Sequence, residues 1–84
     1  MMNATISATA EASTAILVFK TNIRLLRDIR QIKQVLDADA RIVAWNVDRQ
    51  DTDHVLRVLT GTLTEEYIIS LIQQVGYTCE ALPD

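Results

Sequence analysis

The chain is 84 residues long and acidic, with a formal net charge of -3, two glycines, one proline and one cysteine. That length makes one domain with a modest core, and a single thiol excludes an intrachain disulfide framework. No apolar run approaches the roughly 20 residues that span a bilayer, and an acidic total is a poor match for nucleic acid, whose phosphates require clustered basic surface.

Residues 1–14 are rich in Ala, Ser and Thr, with Ile6 the one branched aliphatic. Composition and terminal position mark them as a flexible arm preceding a single domain over residues 15–84. This stretch has no basic residue and no continuous apolar block, so no secretory signal is expected and a cytoplasmic protein is.

Order begins at "AILVFKT", residues 15–21, whose branched and aromatic residues predict a strand. Asn22 is placed to cap a helix, and Leu25, Leu26, Ile29, Ile32, Val35 and Leu36 then recur at helical spacing. "RIVAWNVD" (41–48) alternates as a strand, "RQDTD" is a polar turn, and "HVLRVLT" (54–60) resumes the strand pattern, which predicts a hairpin. A second helix follows, carried by Tyr67, Ile68, Leu71, Ile72 and Val75. It starts either at Thr62, with Glu65 at capping-box spacing, or at Thr64, followed by two acids. Gly76 stands where a left-handed residue ends a helix, and "YTCEAL" (77–82) reads as a last short strand stopped by Pro83.

An offset of 40 aligns Val18 with Val58, Ile29 with Ile69, Ile32 with Ile72, Gln34 with Gln74 and Val35 with Val75. Two strand-helix-strand halves of this kind pack as an α+β, ferredoxin-like βαββαβ domain: a four-stranded antiparallel sheet with both helices on one face. The phase of the strands turns Leu17, Phe19, Val43, Trp45, Val47, Leu56, Val58, Cys79 and Ala81 toward the helices. It leaves Ile16, Val18, Ile42, Ala44, Val55, Leu59 and Leu82 on the uncovered side. Such an apolar face predicts an interface; two covers are available, the Ala-rich arm of residues 1–14 folding back or a second copy of the chain, and a homodimer through this face or a sheet edge is the expected one.

"TNIRLLRDIRQIKQVL", "WNVD" with "HVLRV", and "EEYIISLIQQVGY" together resemble the heavy-metal-associated domain of copper chaperones and metal-transporting ATPases. The resemblance covers residues 15–82. It implies a metal loop of the form Gly-Met-x-Cys-x-x-Cys between the first strand and first helix. Here Asn22 and Ile23 stand at the Gly-Met positions, Ile32 and Leu36 match the apolar pair of the helix, and Leu25 and Asp28 occupy the two cysteine positions. The family holds soft ions with two thiolates; leucine has no donor atom, and one carboxylate is a hard ligand. The resemblance therefore implies the scaffold without its metal chemistry, with Leu25 joining the apolar stripe of the helix.

The remaining candidates are thin. Cys79 reads as a small buried hydrophobe. Asp48, Asp51, Asp53 and His54 gather at the hairpin without the spacing of a calcium loop. No nucleophile-base motif surrounds the one histidine and no glycine-rich phosphate loop exists, so no enzyme activity and no cofactor are expected. Charge is uneven: Lys20, Arg24, Arg27, Arg30 and Lys33 against Asp28 give residues 20–33 a local +4, and the rest sums to -7. Asn22, Arg24, Arg27, Arg30 and Lys33 are accordingly the candidate partner-binding residues, for a protein with an acidic patch, with neither nucleic acid nor membrane as partner. The expected function is a non-catalytic binding module. The alternative is a metal-handling protein using Asp51, Asp53, His54 or Cys79 as ligands.

Overall fold

A computed structural model describes residues 14–83; the arm expected over residues 1–14 falls almost wholly outside them. The elements are β1 (Ala15–Thr21), α1 (Leu26–Leu36), β2 (Ile42–Asp48), β3 (Val55–Thr60), α2 (Glu65–Gln74) and β4 (Cys79–Ala81). The strands form one antiparallel sheet in the order β2-β3-β1-β4. This is the expected ferredoxin-like arrangement, in which each helix is the crossover that returns the chain to the sheet.

The core is where the two periodicities meet. Phe19, Leu56, Val58 and Cys79 from the strands pack with Ile32 and Leu36 of α1 and Ile68 and Ile72 of α2, and Ile23 from the β1–α1 loop joins them. Thr64 caps α2, its hydroxyl accepting the Tyr67 N–H at 3.1 Å, so the later of the two possible starts is used. At the other end Gly76 takes φ +102°, its N–H bonds to the Gln73 carbonyl, and the Tyr77 N–H bonds to the Ile72 carbonyl. That is the paired closure of a left-handed helix stop, and it sends Tyr77 back toward α1.

Two expectations are corrected. Asn22 does not cap α1; the N-cap is Leu25, in extended backbone geometry, and the helix starts at Leu26. Leu25 and Leu26 do not join the apolar stripe either, being 46% and 59% exposed. The stripe begins a turn later, because the loop closes over Ile23 instead. The second correction is in β2, where Ile42 pairs with Thr60 and Ala44 with Leu59, leaving Val43 as an extra residue in a bulge. A bulge shifts the strand by one residue and so reverses which side chains face inward. Ile42 therefore packs on the core and Val43 is 66% exposed.

Candidate functional site

The loop between β1 and α1 is tied down on three sides. Toward the hairpin, the Thr21 N–H donates to the Asp53 carbonyl at 3.0 Å, and the Thr21 hydroxyl donates to the His54 carbonyl at 2.6 Å while accepting the Ile23 N–H at 3.1 Å. Toward β4, the Asn22 side-chain oxygen accepts the Thr78 N–H at 2.9 Å. Inward, Ile23 is fully buried. Asn22 thus serves as a bridge between two chain segments rather than as a helix cap.

Asp28 closes the loop from the helix side. One carboxylate oxygen accepts the N–H groups of Arg24 and Leu25, at 3.1 and 2.9 Å, and the other accepts the Tyr77 hydroxyl at 2.8 Å. A carboxylate three residues into a helix that reaches back to the cap residue supplies half of a capping box, and it complements the positive end of the helix dipole. The Leu25 N–H, then the Tyr77 hydroxyl and the Arg24 N–H, with the Arg27 charge nearby, hold the Asp28 carboxyl below its ordinary range. Burial, and after it the Asp28 acceptor, pushes the Tyr77 phenol up.

This geometry decides whether a soft metal ion fits. Leu25 presents hydrocarbon, and both oxygens of Asp28 are engaged by three donors. Cys79 lies in β4 opposite Thr21, is 6% exposed, and burial pushes its thiol up to about 12, far from the thiolate a metal requires. The hairpin acids organise their own turn: Asp48 accepts the Gln50 N–H, Asp51 accepts the Asp53 N–H, and the Asp51 carbonyl accepts the His54 N–H. Among the described residues no group of three His, Cys, Asp or Glu side chains is placed to hold a metal ion. The residues present do not fit the soft metal ion that the resemblance of the sequence implies.

The basic residues divide into bound and free. Lys33 is held by Asp37 at 2.6 Å, one helical turn on, and Lys20 faces Asp53 at 4.0 Å. Arg24, Arg27 and Arg30 enter no ion pair among the described residues. The hairpin adds a fourth guanidinium: Arg49 donates to the Arg24 carbonyl at 3.4 Å. Sequence reading passes over Arg49 because it lies 25 residues from Arg24, with only the predicted hairpin to hint that the two share an end of the domain.

At the opposite end of the helices stands a group the sequence did not point to. Arg41 forks onto Asp39 at 3.0 and 2.9 Å, and its guanidinium also donates to the Tyr67 hydroxyl at 3.0 Å and lies 5.0 Å over that ring. Tyr67 in turn donates to Asp39 at 2.8 Å. The Arg41 side chain first, then its N–H and the Tyr67 hydroxyl, hold the Asp39 carboxyl well below the usual carboxylate range. These contacts latch the α1–β2 loop to α2.

The order and pairing of the elements define an α+β domain of the ferredoxin-like fold. No protein-family model matches the sequence, and no curated protein matches it. Solved structures do. The apo form of the HMA domain of the copper chaperone for superoxide dismutase superposes with a TM-score of 0.71 at 16% identity, over 83% of this chain and 68% of that one. The yeast copper transporter domain Ccc2a, solved in apo and Cu(I)-loaded states, gives 0.69 at 17% identity, over 82% of this chain and 96% of that one. At these identities the likeness is one of fold. Among the described residues no helix is long and apolar enough to cross a membrane.

Proposed function

We propose that this chain is a non-catalytic docking module of the cytoplasm, built on a heavy-metal-associated scaffold whose metal loop has become a closed structural turn. The observation that carries the reading is Asp28: its carboxylate takes three internal donors at the position where a soft-metal ligand would stand. What the same end of the domain offers outward is charge. Arg24, Arg27, Arg30 and Arg49 stand around the loop without ion pairs among the described residues, on a chain that is acidic elsewhere. The complementary partner is a protein surface rich in carboxylates, met through exposed guanidiniums that steer association more than they add affinity. Lys33 contributes less, being already paired with Asp37.

An octa-glutamate peptide titrated into isotope-labelled protein tests this. Amide shifts should cluster at residues 24–30 and 49 and shrink as salt rises from about 50 mM to about 500 mM. Shifts scattered over the molecule, or unmoved by an Arg24→Glu, Arg27→Glu double change, refute the assignment. The competing reading, a metal-handling protein drawing on Asp51, Asp53, His54 or Cys79, requires a Cu(I) or Zn(II) dissociation constant below about 1 µM in chelator competition.

A further inference from the structure

The loop that buries Ile23 turns the next four residues outward. Arg24, Leu25, Leu26 and Arg27 are consecutive in the chain and all exposed. Among the large apolar side chains exposed on the described residues, Leu25 and Leu26 are the one pair adjacent in sequence. A single exposed leucine is ordinary on a protein surface. A pair at the end of a domain, set among arginines, has the make-up of a contact: an apolar centre with a polar rim.

The backbone, not packing, holds this pair in place. The Leu25 N–H donates to Asp28, and the Leu25 carbonyl accepts the Asp28 and Ile29 N–H groups at 3.0 and 3.1 Å. Leu25 is the N-cap and Leu26 opens α1, so both side chains leave from a fixed helix end. A partner that covers them has little backbone left to order. Around the pair stand guanidiniums. Arg24 and Arg27 flank it in the chain, Arg30 is the neighbour of Leu26 one helical turn on, and Arg49 reaches the Arg24 carbonyl from the hairpin. None of the four enters an ion pair among the described residues. Charge by itself attracts any polyanion; a leucine pair inside the charge discriminates among them.

Two kinds of surface combine negative charge with apolar groups: an anionic bilayer and an acidic protein segment. The hairpin decides between them. Thr21 bonds to the Asp53 and His54 carbonyls, which fixes the hairpin beside the loop and brings Asp48, Asp51 and Asp53 to the same end of the domain. Over that whole end the carboxylates offset most of the arginines, and a flat anionic bilayer would meet both. A segment a few residues wide can lie on the arginines and leucines and leave the hairpin acids uncovered.

We infer that Leu25 and Leu26 are the apolar anchor of the docking site, and that its partner is an acidic segment carrying bulky apolar side chains of its own. This rests on the carboxylate-docking reading above. Two decapeptides test it, each with four glutamates on either side of a central pair, Leu-Leu in one and Ser-Ser in the other. Titrated into the full chain at about 150 mM salt, the Leu-Leu peptide should bind roughly tenfold tighter. Leu25→Ser with Leu26→Ser should erase that difference and leave binding of the Ser-Ser peptide as it was. Serine is a favoured N-cap, so the helix start survives the change. Equal affinities of the parent chain for the two peptides overturn the inference and leave the charge reading standing. A preference that persists in the double-serine variant also overturns it, by placing the contact elsewhere. Binding of neither peptide removes the charge reading together with the inference. Equal peptide affinities joined to sedimentation with phosphatidylserine vesicles, lost in the double-serine variant, overturn it in favour of a bilayer.

Discussion

Ile23 and Leu25 stand two positions apart in the same loop, and their alanine variants should behave very differently. Ile23 is completely buried, while Leu25 is nearly half exposed. Ile23→Ala removes three carbons, about 2.4 kcal/mol of transfer free energy at ~0.8 kcal/mol each. The cavity left behind carries such truncations into the ~2–5 kcal/mol range, and a loop residue whose surroundings relax in part should fall near ~3 kcal/mol. At ~4–8 °C per kcal/mol for a domain of this size, the melting temperature drops by roughly 12–24 °C. Leu25→Ala loses about half of a comparable burial and no side-chain cap, so its cost stays near or under ~1 kcal/mol. Urea unfolding followed by far-UV circular dichroism measures both, with a shared m value confirming that stability alone has moved. If Ile23→Ala unfolds the chain outright, Ile23→Val, at ~0.5–1.5 kcal/mol, keeps the ranking measurable. Equal losses for Ile23→Ala and Leu25→Ala, or a larger one for Leu25→Ala, would refute the packing described for the loop.

Acid should act through three carboxyls held below their ordinary range: Asp28 by the Leu25 N–H, Asp37 by Lys33 and Asp39 by Arg41. A depressed folded-state value stabilises above the unfolded value and is lost as pH falls through the folded one. The urea midpoint should thus hold from about pH 7 to about pH 5 and fall steeply below about pH 4; a midpoint already falling near pH 6 contradicts this. At the alkaline end, the Cys79 thiol is pushed from 9.0 to about 12 by burial, so the unfolded chain sheds that proton first and stability declines across that interval. Cys79→Ala should remove that part of the decline. Gly76→Ala meets no atom within 4 Å, so its whole cost is backbone strain at φ +102°, about 1–2 kcal/mol in the same urea assay; a neutral result would mean the turn relaxes. Last, Leu25→Cys with Asp28→Cys places two thiols at the N-cap and first turn of α1, near the positive dipole end that lowers thiol pKa. The double variant should bind Cu(I) in competition with a chromophoric chelator where the parent chain does not, and failure to bind would show that the loop lacks more than the two ligands.

What the sequence determined by itself is whatever depends on neighbours a few residues apart. The strand and helix periods, a cap at Thr62 or Thr64 and Gly76 as a stop all rest on contacts within one turn or one pleat, and so were legible along with the fold they imply, while the choice of Thr64 fell to the structure. The absence of a thiolate pair at positions 25 and 28 was legible in the same way. The tertiary structure decided what depends on distant partners. Asn22 looks like a cap locally, yet its acceptor is taken by the Thr78 N–H, 56 residues on. Asp28 looks like a lost ligand, and becomes a loop closure because the turn at Gly76 delivers Tyr77 to it. Val43 alternates correctly on paper, but β2 slips by one residue against β3, and a bulge is a property of the pair rather than of either strand. Arg49 joins Arg24 for the same reason: the hairpin folds over, and charge that is dispersed along the chain becomes a patch in space.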